Sequence, residues 1–167
     1  PIEIGLSKAG RRGLVLEPTS RRPLAVEICE QDVFVITGGA RGVTAEAALA
    51  LARRFRPKLL LIGRSPAPRA EPAWLANLHD EADIKQAILA NEFGSASRPK
   101  ATELQAAFQR HMANREVRGS LQRIADAGSQ VLYRAVDVCD ARAVEAALIE
   151  AKTVLGHLTK TEATYFS

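Results

Sequence analysis

The chain has 167 residues, 47% hydrophobic and 25% charged, the size and composition of one ordinary globular domain. Its 23 basic and 19 acidic side chains leave a net charge of +4, which reads first as a slightly basic surface and, as the sharper alternative, as a site for a polyanion such as a phosphorylated cofactor or an acidic carrier. Aromatic residues make up only 5%, without the aromatic-basic alternation that stacks bases, and no apolar run reaches the roughly 18 residues of a membrane span, so neither nucleic acid nor membrane is expected as a partner.

Residues 1–31 are rich in Arg, Gly and Pro and read as a linker or the end of a preceding structural subdomain. Runs 14–16 and 24–28 are candidate strands, and the basic pairs Arg11-Arg12 and Arg21-Arg22 read as solvated surface. A start at Pro1 rather than Met predicts a chain cut from something larger. Strand one is predicted over 32–37, apolar without alternation and hence covered on both faces. A glycine-rich turn follows, and a helix over 43–55 places Val43, Ala47, Leu51 and Phe55 in a stripe towards the sheet. Arg53, Arg54 and Arg56 suit the negative end of that helix, Pro57 stops it, and strand two occupies 58–62.

Residues 65–100 break the rhythm with prolines and a short helix near 83–93, and are expected to form a surface helical insertion whose local core is Trp74, Leu75 and Leu78. A long helix over 99–127 carries Gly119 as a kink or join and stops at Gly128; strand three is 130–136. A last helix over 141–155, capped by Asp140, presents Val144, Ala147, Leu148 and Ala151 on one face. Residues 157–167 stay unassigned. The alternation over 32–156 predicts an α/β fold: a partial Rossmann-like, doubly wound parallel sheet with a helical insertion between strands two and three.

The turn Thr37-Gly38-Gly39-Ala40-Arg41-Gly42 opens the first helix at Val43. Glycine there permits positive φ and close approach of a pyrophosphate, which the free amides and positive end of the helix then hold. No Gly-Lys-Ser/Thr follows, so the turn is not a nucleoside-triphosphatase loop. The end of strand two selects the dinucleotide. An acidic residue there would bond a ribose 2′-hydroxyl, whereas an arginine accommodates a 2′-phosphate. The position holds Gly63-Arg64-Ser65 with no carboxylate nearby, and Arg41 is placed to converge on the same phosphate, so NADPH is the expected cofactor. Asp137, after strand three, is a candidate acceptor for the adenine amino group, with Val138 packing on the ring; its alternative is a strand-ending cap. Cys29 and Cys139 form no CxxC pair and fit a reducing cytoplasm, and His79, His111 and His157 lack metal-ligand spacing, so no metal is expected.

These residues resemble the short-chain dehydrogenase/reductase family, whose cofactor turn reads TGxxxGxG and is followed by an aspartate-hydrophobic pair after strand three. Thr37, Gly38 and Gly42 match, while Thr44 stands at the last glycine. ITGGARGVTAE, LLLIGRS and the long helical insertion look most like ketoreductase domains of modular polyketide synthases, with polyunsaturated fatty acid synthases close in pattern. The resemblance covers about residues 30–156. It implies NADPH-dependent reduction of a β-ketoacyl group on the phosphopantetheine arm of an acyl carrier protein, alongside other domains of one multienzyme. It also implies a catalytic Ser, Tyr and Lys, with the Lys four positions after the Tyr. Here Tyr133 is followed at that distance by Asp137, and Tyr165 lies two residues from the end. No catalytic residue is therefore named. The chain reads as the cofactor-binding part of such a reductase, the alternative being a non-catalytic structural or nucleotide-binding half-domain.

Overall fold

A computed structural model describes residues 4–13, 27–38, 40–94 and 99–156. It opens on an antiparallel hairpin, β1 (Ile4–Ser7) and β2 (Gly10–Gly13), exposed along its whole length. The two-residue turn Lys8-Ala9 closes with Gly10 at φ 107°, and the Ser7 hydroxyl accepts from the Ala9 amide at 3.3 Å. This hairpin lies upstream of both candidate strands. Of those, residues 14–26 fall outside the described chain, and 27–29 are irregular. The hairpin escapes a search for apolar runs because its turn chemistry and short length specify it.

The main unit alternates β3 (Val33–Thr37), α1 (Gly42–Phe55), β4 (Lys58–Gly63), α2 (Glu81–Ile88), α3 (Ala101–Asp126), β5 (Val131–Ala135) and α4 (Ala141–Leu155). A π-helical turn, Leu89–Phe93, continues α2. The sheet is parallel with order β3-β4-β5, Val35 opposite Leu60 and Leu60 opposite Leu132. Successive β4 side chains point to opposite faces. Leu59 and Leu61 enter a core with Ala48, Leu49 and Ala52 of α1, Val117 and Ile124 of α3, and Tyr133. Leu60 and Ile62 meet Ala151 and Leu155 of α4 on the other side. Helices thus cover both faces, and the fold is the α/β, Rossmann-like partial doubly wound sheet expected from the alternation.

Three expectations are corrected. β3 is not covered on both faces: Phe34 and Ile36 pack into the α1 core, but Val35 is 41% exposed on the opposite face. Among the described residues β3 is the outer strand of the sheet, and on its second face Val33, but not Val35, packs against the cluster that α4 shares with β4. The α1 stripe is displaced. Its buried residues are Ala45, Ala48, Leu49 and Ala52, while Val43 is 87% exposed. Alanines let the helix approach the sheet closely, so the small residues, not the largest ones, face inward. Finally, α3 runs unbroken through Gly119, because its flanks are pinned by ion pairs to other elements.

The insertion forms its own core, as expected: Leu75, Ile84, Ile88, Ala107 and Phe108 are buried, with Trp74 and Leu78 packed against them. Trp74 meets His111 edge-on at 5.5 Å between ring centres. Arg115 of α3 clamps the segment, donating to the carbonyls of Leu78 at 2.7 Å and Leu75 at 2.5 Å and pairing with Glu71. Asp80 caps α2 and Asp140 caps α4, each accepting two backbone amides. Among the described residues no helix is long and apolar enough to cross a membrane.

Candidate functional site

Parallel register brings the ends of the three strands to one edge. Thr37 lies beside Ile62, and Gly63 beside Ala135. The glycine turn after β3, Arg64-Ser65 after β4 and Asp137-Val138 after β5 therefore line the carboxyl edge in order. Ligands of open α/β sheets lie at this edge.

The turn has the backbone a phosphate cradle requires. Gly38 has φ 99° and Gly42 φ 55°, both in the region that side-chain-bearing residues avoid. A Cβ at Gly38 would also come within 2.9 Å of the Thr44 hydroxyl oxygen. Thr44, at the position of the pattern's last glycine, thus packs under the turn and makes glycine obligatory at 38. Ala40 is fully buried, and Gly39 lies outside the described residues. Val43, exposed in the first turn of α1, stands beside the cradle rather than in the core.

Arg41 precedes α1 in extended conformation and has no side-chain cap bond of its own. Its Nε donates to Glu116 of α3 at 2.7 Å, and the other oxygen of Glu116 accepts the Gly42 amide at 2.8 Å. The helix is therefore capped from another element. The Arg41 hydrogen bond, with the Gly42 amide adding to it, holds the Glu116 carboxyl below the usual carboxylate range against the opposing effect of burial. One α1 turn further on, Glu46 takes a two-pronged contact from Arg123 at 2.6 and 3.0 Å. Both clasps run in the same sequence direction, as two right-handed crossovers on one face demand.

Arg64 is exposed and makes no ion pair among the described residues. Its turn is anchored from below: the Tyr133 hydroxyl donates to the Ser65 carbonyl at 2.7 Å. Burial pushes the Tyr133 pKa up, against the lowering effects of the Ser65 hydrogen bond and the Arg41 charge. Asp137 accepts the Cys139 amide at 3.0 Å and so shapes the turn after β5, while Val138 is exposed. The structure thus gathers Thr37, Gly38, Arg41, Gly42, Val43, Gly63, Arg64, Ser65, Asp137 and Val138 along one edge. It adds Glu116 and Tyr133. Glu116 looks like a solvated helix residue in the sequence, and Tyr133 like a failed match to a catalytic pattern; neither carries a signal of its contact across the fold.

Tyr133→Phe is expected to lower unfolding free energy by about 0.5–1.5 kcal/mol, the usual worth of one hydrogen bond, and to loosen the Arg64-Ser65 turn, whose carbonyl it anchors. Urea denaturation and NMR order parameters of the turn measure the two effects. Loss of stability with unchanged order in the turn would rule out the anchoring role.

A family model described as the KR domain matches residues 33–160. The chain is 32% identical over 151 residues to a polyunsaturated fatty acid synthase polypeptide of Thraustochytrium sp., in an alignment that takes in 87% of this chain and 5% of that protein. The chain thus spans a small fraction of the curated relative it matches. A solved carveol dehydrogenase from Mycobacterium avium, in complex with NAD, is 20% identical with a TM-score of 0.44, over 76% of this chain and 32% of that one. A short chain dehydrogenase from Mycobacterium paratuberculosis bound to NAD is 14% identical with a TM-score of 0.45, over 79% and 35%.

Proposed function

The chain belongs to the KR domain family, a ketoreductase-like branch of the short-chain dehydrogenase/reductases, and from that premise we propose that it is the cofactor-binding part of an NADPH-dependent β-ketoacyl reductase in a synthase multienzyme. The reading is carried by one observation: cradle, arginine turn and Asp-Val pair follow three neighbouring parallel strands at a single edge. The residues present fit a dinucleotide, since Gly38 combines a φ of 99° with a clearance that excludes a side chain, and Gly42 opens α1 at a φ of 55° that glycine favours.

NADPH would supply the hydride when bound. The chain's own groups would bind and orient it. The first-turn amides of α1 and the helix dipole would hold the pyrophosphate. Arg64, joined by Arg41, would pair with the 2′-phosphate, which a planar guanidinium matches through two parallel N–H donors. Asp137 keeps a second carboxylate oxygen for the adenine amino group, and Val138 offers apolar surface to the ring. The substrate is a β-keto group borne on an acyl carrier protein, reduced to the β-hydroxy form. The multienzyme setting is supported by the name of the fatty acid synthase relative, and the setting assigned to the chain is cytoplasmic.

A second reading, a non-catalytic nucleotide-binding half-domain, is favoured by Tyr133. Its hydroxyl is engaged by the Ser65 carbonyl and its pKa is raised, opposite to the direction a tuned proton donor needs. The deciding measurement follows NADPH oxidation with a β-ketoacyl thioester on the longer protein that carries this chain. Turnover supports the reductase. Cofactor binding without turnover supports the half-domain, and a folded chain that binds no dinucleotide sinks both.

A further inference from the structure

We propose that Glu116 is a built-in anion that competes with the cofactor's phosphates for Arg41 and the α1 N-terminus, and is displaced from them when cofactor binds. The inference rests on the dinucleotide reading of the cradle. It starts from two hydrogen bonds. Arg41 Nε and the Gly42 amide, both donors that an incoming phosphate would use, are taken by the two oxygens of one carboxylate from α3. That carboxylate stands in for a bound anion: it has the charge, the acceptor pair and the position.

Three features make the contact one that opens. First, the pair is exposed, with 42% and 41% of the two side chains accessible, and exposed ion pairs are weak because water competes for both partners. Second, a phosphate brings more charge and more acceptor oxygens than a carboxylate, so it is the stronger partner for a guanidinium. Third, Glu116 has somewhere to go. It borders a groove of about 580 Å³ between α1 and α3, lined also by Val43, Glu46, Gly119 and Arg123. Gly119 lies one turn beyond Glu116 on α3, and a Cβ there would meet nothing within 4 Å. The missing side chain leaves open the space into which the glutamate swings.

The consequence is a selectivity device. Ligands with one phosphate must overcome the resident charge for little return, whereas a ligand with a pyrophosphate and a 2′-phosphate replaces Glu116 on Arg41 and recovers the contact. Neutralising Glu116 removes the competitor and frees Arg41 at once.

The test compares the full chain with Glu116→Gln, which keeps the shape and an amide-accepting oxygen but not the charge. Glu116→Ala serves as the second variant, and circular dichroism verifies the fold of each. NADPH and adenosine 2′,5′-bisphosphate are titrated by calorimetry. Both variants are expected to bind each ligand about tenfold more tightly, equivalent to about 1.4 kcal/mol. In Arg41→Gln, where the freed cation is missing, the gain on adding Glu116→Gln is expected to shrink to about twofold or less. Unchanged or weaker binding in the folded glutamate variants, with the original chain still binding NADPH, overturns the proposal and makes Glu116 a brace that orients Arg41. If no folded form binds either ligand, the dinucleotide reading falls and the competition with it.

Discussion

Arg64→Glu is expected to weaken NADPH binding by about 100-fold or more, about 2.7 kcal/mol, while moving NADH affinity by no more than about threefold. The substitution removes a charge-assisted pair with the 2′-phosphate and sets a carboxylate against a dianion, so attraction is replaced by repulsion at the same spot. NADH lacks that phosphate. A glutamate at the end of the second parallel strand is also the residue type that bonds a free 2′-hydroxyl, so the NADH side of the comparison is protected. Arg41→Gln is expected to cost less, because Arg41 already shares its charge with Glu116 and its release recovers only part of a contact. Fluorescence titration of both nucleotides against the two variants gives the ratio directly. Equal losses for NADPH and NADH on Arg64→Glu would show that Arg64 does not meet the 2′-phosphate and would return the cofactor preference to an open question.

How much of this was legible beforehand divides along a physical line. Local features were readable. The β-branched run of β3 ahead of the glycine turn and the Asp140 cap depend on neighbours in sequence, and each stands where the pattern put it; Trp74, Leu75 and Leu78 do form part of the insertion core, but they complete it with Ala107 and Phe108 of α3. The edge alignment of Thr37, Arg64 and Asp137 followed from parallel crossovers, which are almost invariably right-handed. What depended on distance in sequence was illegible. Glu116 lies 74 residues from Gly42, and Tyr133 lies 68 from Ser65. No spacing rule links them, because α3 could meet α1 in several registers until side chains pack.

The inward face of α1 failed for a different reason. Four-residue spacing selected Val43, Ala47, Leu51 and Phe55, of which Leu51 packs against the core at its margin, while the residues the sheet buries are Ala45, Ala48, Leu49 and Ala52. A helix that starts at a cradle must sit close to its strand, and closeness favours small side chains over hydrophobic bulk. Val43 is then left in solvent beside the glycine turn. The β3 exposure is separate: continuous apolar residues do signal a sheet interior, but among the described residues Val35 lies on the outer strand of the sheet and is 41% exposed.

That asymmetry sets up the largest stability effect. Leu60 and Leu61 are adjacent, fully buried and of one residue type, but they face opposite sides of the sheet. Truncating a buried leucine to alanine costs about 2–5 kcal/mol, the amount depending on how far the surroundings collapse into the space. Around Leu61 collapse is resisted. Its neighbours come from two helices, α1 and α3, and from Tyr133, whose hydroxyl is tied to Ser65. Among the described residues Leu60 faces one helix, α4, and Val35 on the same face of the sheet is 41% exposed. Leu61→Ala is therefore expected to cost about 4 kcal/mol and Leu60→Ala about 2.5 kcal/mol. For a domain with about 5–15 kcal/mol in total, the first change alone consumes much of the margin. Urea unfolding of each variant, with unchanged slope, measures the pair. A larger loss at Leu60 would mean that α4, not the α1–α3 pair, is the rigid side of the sheet.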